Sequence, residues 1–379
     1  MLATRAIYDE DHRLFRDSVR KFFDRELHPH KERWENDGVV DRAFWRKAGE
    51  AGLLCPGVPE QYGGLGLDFK FNAIIDEELG YSGSSGPGFG VHSDICAHYL
   101  INYGSENQKQ KWLPKMVSGE VVTAIAMSEP GAGSDLQGVR TSATKDGNHY
   151  VINGSKTFIS NGQNADLVVV VAKTDPEKGA HGTSLILVEA DRDGFRRGRN
   201  LDKVGQHAAD TSELFFDDVR VPMTNCLGDE NAGFAYLMQE LPQERLSIGV
   251  AAQAAAQRAY DITVAYVKER KAFGKTVFDF QNTRFALADI KTELAVGWAF
   301  LDQCINEHVA GKLDVFGGAM SKLWHSEMQW RVVDQCVQLH GGYGYMNEYE
   351  IARAWRDARV QRIYGGTSEI MKELISRSI

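Results

Sequence analysis

Nowhere in its 379 residues does this sequence offer about 18 consecutive apolar residues, the run a helix needs to cross a bilayer. Its start, MLATRAIYDEDHRLFR, has no apolar block behind the first charges, so neither a secretory signal nor a membrane span is expected. Cysteine is scarce. Cys55, Cys96, Cys226, Cys304 and Cys336 are odd in number, widely spaced and without a CxxC pair, which is the usage of a reduced, intracellular protein. The expected location is the cytoplasm if the source is bacterial, or the mitochondrial matrix for a processed eukaryotic form. The histidines lack ligand spacing, and His28 and His30 around Pro29 read as a surface turn, so no metal site is expected. Positive charge is not in excess either: a formal net charge of -9 argues against a nucleic-acid backbone as main partner. The basic spot formed by Arg192, Arg196, Arg197, Arg199 and Lys203 reads as a solvated strand and loop, with an anionic ligand as the alternative.

What is present is an ordinary globular composition, 43% hydrophobic and 25% charged, long enough for two or three domains around a large core. In the segment 9–27, Leu14, Phe15, Val19, Phe22, Phe23 and Leu27 recur at helical spacing, and further helical stretches follow near 44–51, 72–79 and 93–103. The glycine-rich pieces 57–66 and 80–90 read as loops. From about 121 the pattern changes to short β-rich runs, VVTAIAM, YVINGSKTFIS, LVVVVAK, TSLILVEA and SELFFDDVRVP, punctuated by turn pairs such as Asn153-Gly154. After Gly228 long helical runs return over 251–270, 285–309, 316–340 and 349–362. The expected fold is therefore mainly α with a middle β-domain: a helical N-terminal domain (1–120), a small antiparallel β-barrel or sandwich (121–227) and a C-terminal four-helix bundle (228–379).

Two glycine clusters invite a dinucleotide reading and fail it. In GAGSDL the third glycine is replaced by Leu136, in HGGYGY the spacing is wrong, and neither joins a strand to a helix in a βαβ unit. A different pattern emerges when MSEPGAGSD (127–135) is paired with NGSKTFISNG (153–162). Each is a strand end running into a glycine-permitted turn with a hydroxyl beside apolar residues, an edge suited to a flat heterocycle.

With VPEQYGGLG, AMSEPGAGSDLQG, NGSKTFISNG, RKAFGK, QLHGGYGY and YGGTSEI in place, the chain resembles the acyl-CoA dehydrogenases from end to end. SGPGF, LPQERL and RVQRIYGGTSEIMKELI make it most similar to the long-chain branch. The resemblance implies FAD as cofactor, an acyl-CoA substrate, electron-transfer flavoprotein as electron acceptor and a homotetramer serving fatty acid β-oxidation. Matched position by position, Ile125, Met127, Ser128, Gly133 and Ser134, with Phe158, Ile159 and Ser160, would frame the isoalloxazine. Arg270, Phe273, Gln281, Gln338, Leu339, His340, Gly341 and Gly342 would hold the diphosphate and adenosine, partly from a neighbouring subunit, and Thr367, Ser368 and Glu369 would complete the flavin contacts. The thioester side would draw on Ser134, Ala180, His181, Pro242, Arg245, Gly365 and Gly366.

One departure bears on mechanism. Dehydrogenation needs a base for the α-proton, and in most of the family that base is a Glu just before the GT of a YEGT motif; here the motif is Tyr364-Gly365-Gly366-Thr367. The resemblance to the long-chain and isovaleryl branches moves the base to Glu244, in LPQERL. Taken alone, Glu244 reads instead as an acidic residue suiting a helix start after Pro242. A glycine at 365 would also leave room for a branch at the substrate's α-carbon. Two other readings stay open: an oxidase of the same fold that passes electrons to O₂, and a silent flavin or acyl-CoA binding subunit.

Overall fold

The computed structural model describes residues 5–379. The N-terminal part is helical: α1 (Glu10–Glu26), α2 (Lys31–Asp37), α3 (Arg42–Glu50), α4 (Phe69–Ser82), α5 (Ala97–Tyr103) and α6 (Glu106–Val117), with a π-helical stretch Gly90–Cys96 running directly into α5. Helix α1 starts at a capping box between Asp9 and His12 and buries Val19, Phe22 and Phe23, as their spacing predicts. Leu14 departs from that pattern at 61% exposed, while Arg16 is buried at 3%. The reason is an ion network: Arg16 reaches Glu77 at 2.6 Å and Glu78 at 2.9 Å on α4, so the inward face of α1 carries a paired charge where an apolar stripe is expected.

The middle part holds β1 (Thr123–Ala126), β2 (Ser142–Asp146), β3 (His149–Ser160), β4 (Leu167–Lys173), β5 (Thr183–Glu189), β6 (Phe195–Asn200), β7 (Thr211–Pro222) and β8 (Cys226–Leu227). Strand order is β6-β7-β3-β2-β4-β5-β8, with β1 lying parallel to β4. The expected closed, antiparallel barrel is not what forms. The sheet is mixed and open, and its two antiparallel pieces meet where β2 touches β4 through the single parallel pair Ser142 and Lys173. Closure fails at the ends: β6, FRRGRN, exposes arginines on an edge strand, and β8 is two residues long. The basic spot is partly consumed structurally, since Arg197 donates to the Gly162 carbonyl and Arg192 to Glu189. Strands β4 and β5 are buried along their whole length, with the β-domain core on one face and the N-terminal helical core on the other, which explains their unbroken apolar runs.

The C-terminal part comprises α7 (Gly233–Glu269), the short strands β9 (Lys271–Ala272) and β10 (Lys275–Thr276), then α8 (Gln281–Val309), α9 (Val315–His340), α10 (Glu350–Ala358) and α11 (Ser368–Ser376). Where four matched helices are expected, three long ones pack together, α10 and α11 lie on α9, and α4 packs on α7. Helix α7 begins well before the expected start near 251 and passes straight through Pro242. Glu244 is therefore no first-turn acid. Proline inside a helix removes one backbone donor and normally kinks or ends it. Here α9 packs tightly against the spot: a side chain at Gly318 would come within 3.0 Å of the Pro242 backbone.

Candidate active site

Glu244 lies on the buried face of α7 and is 5% exposed. Its Oε1 accepts a 2.9 Å hydrogen bond from the hydroxyl of Tyr99, itself fully buried on α5. Burial pushes the carboxyl up to about 7; the Tyr99 hydrogen bond and Arg245 oppose that rise, and Glu240, one turn earlier, adds to it. A carboxyl so placed changes protonation near neutral pH, the range in which a general base works best.

The turn between Arg362 and α11 comes up against the same stretch of α7. Gly365 has φ +63° and Gly366 φ +98°, backbone that favours glycine. A Cβ on Gly365 would sit 2.3 Å from Cδ1 of Ile248, one helical turn beyond Glu244, and one on Gly366 would lie 3.9 Å from Nη2 of Arg245. The direction a side chain would take from Gly365 is thus occupied by the tip of Ile248. The backbone N–H groups of Gly365, Gly366 and Thr367 find no acceptor among the described residues. Arg245 is buried, with Nε and Nη1 unpartnered. Pro242 is half-buried two residues before Glu244.

The two motif loops of the β-domain are brought together. The Thr157 N–H donates to the Ser128 carbonyl at 3.0 Å, and Lys156 Nζ bridges the Met127 carbonyl at 3.0 Å and Glu129 Oε1 at 2.9 Å. Glu129 also accepts the backbone N–H groups of Arg140 and Thr141. A bulge in the β3–β7 pairing between Lys156 and Ile159 turns Phe158 outward, φ +60° and 70% exposed. Ile125, Met127, Ser128 and Ser160 are half-buried around it, and Gly133 and Ser134 are exposed on the following loop. Ile159 turns its side chain into the core at 2% exposed, leaving only its backbone for a ligand.

A cavity of about 510 Å³ lies at the far end of α7 and α9, lined by Tyr266, Arg270, Gln338, Leu339, His340, Gly341, Gly342 and Tyr343 among others. Six residues expected to bind diphosphate and adenosine converge there. Side chains at Gly341 and Gly342 would meet nothing within 4 Å, so their backbone faces open space, and the Arg270 guanidinium lies 5.3 Å over the Tyr343 ring. A permanently charged donor, exposed glycine backbone and an aromatic rim fit the phosphate and adenine of a dinucleotide. His340 is pinned, its ring stacked on Tyr266 and its Nδ1 facing the Cys336 carbonyl at 2.9 Å.

Other expected residues lie apart from these clusters. Phe273, 95% exposed between β9 and β10, and Gln281, at the start of α8, do not line the cavity. Ala180 and His181 sit on a turn beyond β4, with His181 exposed. Thr367 caps α11 by accepting from the Ile370 N–H, Ser368 is buried and donates to Glu327, and Glu369 is exposed. Sequence reasoning missed Tyr99, Lys156, Glu129 and Ile248, which touch the expected residues. The only signal available was that Lys156 and Glu129 stand inside the two quoted motifs.

Models of the acyl-CoA dehydrogenase N-terminal, middle and C-terminal domains match residues 9–120, 124–219 and 231–379. The long-chain specific acyl-CoA dehydrogenase of Sus scrofa mitochondria is 53% identical, over 100% of this chain and 88% of the relative. The crystal structure of an acyl-CoA dehydrogenase from Geobacillus kaustophilus superposes with a TM-score of 0.97 at 54% identity, covering 99% of both chains. A glutaryl-CoA dehydrogenase from Mycobacterium smegmatis, in complex with FADH2, superposes at TM-score 0.91 and 29% identity, over 100% of this chain and 96% of that one. The chain belongs to the acyl-CoA dehydrogenase family. The class read from the motifs is the class found, and membership implies a flavin cofactor.

Proposed function

We propose that the protein oxidises long-chain acyl-CoA thioesters to trans-2-enoyl-CoA with FAD, passing the electrons to electron-transfer flavoprotein, and works as a homotetramer. The observation that carries this reading is the buried Glu244 carboxyl, held by Tyr99 and raised to about 7, beside a glycine turn at the position where most of the family has its base. Glu244 takes the α-proton. The unpartnered N–H groups of the 365–367 turn and the unpartnered guanidinium of Arg245 receive the polar thioester end and stabilise enolate-like charge on its carbonyl. Bound FAD supplies the acceptor for the hydride leaving Cβ. Met127, Ser128, Phe158 and Ser160 would hold its ring, and Arg270 with Gln338, Leu339, His340, Gly341 and Gly342 its phosphates and adenosine. Since the residues assigned to the phosphates and adenosine form a cavity without those assigned to the ring, a flavin shared between two copies of the chain fits this arrangement. Support for long rather than α-branched chains comes from the Sus scrofa relative and from Ile248 occupying the space over Gly365.

The test is anaerobic bleaching of the purified yellow protein by a panel of acyl-CoAs from C4 to C18, including branched and sterol-derived thioesters. Bleaching fastest with long straight chains is the expected result. A flavoprotein that no acyl-CoA bleaches would refute the reading, and rapid reoxidation by O₂ during turnover would replace electron-transfer flavoprotein with oxygen as acceptor.

A further inference from the structure

Lys322, on α9, is 0% exposed. Its Nζ donates to the Gly366 carbonyl at 2.7 Å, and no carboxylate lies within salt-bridge reach of it among the described residues. Burying an ammonium costs several kcal/mol unless paired, and one carbonyl is thin compensation for three donors. Burial, and after it the nearby Arg245, lower the Lys322 amine to about 8, against a pull upward from Glu327 and Glu369, neither of which is within salt-bridge distance. A structural tie alone would be made more cheaply by a backbone N–H or water.

The bond's location explains the cost. Gly365 and Gly366 are consecutive glycines at positive φ, the most permissive backbone the chain has, and nothing in their own side chains selects one conformation. In a trans peptide the carbonyl of one residue and the N–H of the next point in opposite directions, and the described chain has no cis bond. Holding the Gly366 oxygen toward α9 therefore aims the Thr367 N–H away from α9. Helix α9 reaches the turn because Gly318, one turn before Lys322, lets it lie close against Pro242.

We propose that Lys322 is a positioning residue for the thioester: by holding the Gly366 carbonyl it sets the 365–367 turn so that its free N–H groups face the substrate carbonyl, and with Arg245 it supplies buried positive charge beside that carbonyl. The assignment rests on the proposed function and extends it to a residue that touches neither substrate nor flavin. Its test compares wild type with K322M, which keeps the unbranched stem without charge or donor, and K322R, which keeps both charge and donors. The probe is a 2-enoyl-CoA carrying ¹³C at the thioester carbonyl, whose C=O stretch is read by difference infrared spectroscopy in the bound state; flavin content, melting temperature, kcat and KM are measured alongside.

In wild type the bound carbonyl stretch falls below its value in water. In K322M we expect at least about half that shift to vanish and kcat to drop tenfold or more with KM changed less than about threefold, the pattern of a contact that matters most in the transition state. K322R restores most of both. Should K322M not fold, K322Q is read in the same way, since its amide nitrogen ends one bond, about 1.5 Å, short of where Nζ meets the Gly366 carbonyl. A wild-type carbonyl shift and wild-type kcat in either neutral variant overturns the assignment. Wild type that neither binds the enoyl-CoA nor bleaches with acyl-CoA counts instead against the proposed function, and against this assignment with it.

Discussion

Glu244 shows how one side chain's surroundings set its chemistry. Burial raises its carboxyl to about 7 and the Tyr99 hydroxyl holds it from rising further. A base must be deprotonated, so kcat/KM should climb as pH passes upward through about 7 and fall below it. Tyr99→Phe removes a hydrogen bond to the charged form, so the acidic limb of the profile should move to higher pH; a limb unmoved or moved lower would separate Tyr99 from the base. A second prediction concerns Gly365. In an Glu244→Gln background, Gly365→Glu returns a carboxylate to the other family position, but its Cβ would sit 2.3 Å from Ile248 Cδ1 and its φ of +63° is strained for a side chain. Rescue should therefore be weak until Ile248→Ala is added. Equal rescue with and without Ile248→Ala would show that Ile248 does not guard the position. Neither partner was legible in the sequence: Tyr99 lies 145 residues from Glu244, and only tertiary packing joins them.

At the scale of elements, the edge proposed to hold the flavin is tied by one buried ion pair. Lys156 and Glu129 tie the β3 bulge to the loop after β1, and Phe158 is turned outward beside that tie. Lys156→Met removes the charge partner of the buried Glu129 carboxylate and leaves it only the Arg140 and Thr141 N–H groups; breaking a buried pair from one side typically costs about 3 kcal/mol or more. The expected outcome is a lower melting temperature and release of flavin on gel filtration; full flavin retention at wild-type stability would contradict it. The two loops were legible because glycine, hydroxyl and turn chemistry act over a few residues. Their tie was not, because a lysine in a strand reads as solvent-facing until its neighbours are known. Long-range features account for the other misses. Pro242 reads as a helix boundary on local grounds, whereas packing of α9 carries α7 through it. Alternating strands suggest a barrel, whereas closure depends on the edges, and β6 and β8 are built not to pair further.

On the scale of the whole molecule, the proposed site draws on all three parts of the chain: Tyr99 from the N-terminal part bonds Glu244 on α7, Lys156 and Glu129 tie the sheet's two motif loops, and Lys322 holds the 365–367 turn among the C-terminal helices. Arg270 stands at the separate cavity and is exposed, so Arg270→Ala should leave stability within about 0.5 kcal/mol. Loss of a charge-assisted phosphate contact should nevertheless weaken flavin binding about tenfold or more. Unchanged flavin affinity in that variant would remove the cavity from the cofactor site. The central claim is that Glu244 is the base, and anaerobic stopped-flow reduction of the bound flavin by a long-chain acyl-CoA tests it most directly. Glu244→Gln should keep its flavin and bind the thioester while reducing at least about 10²-fold more slowly than wild type; reduction at the wild-type rate would show that the α-proton leaves by another route.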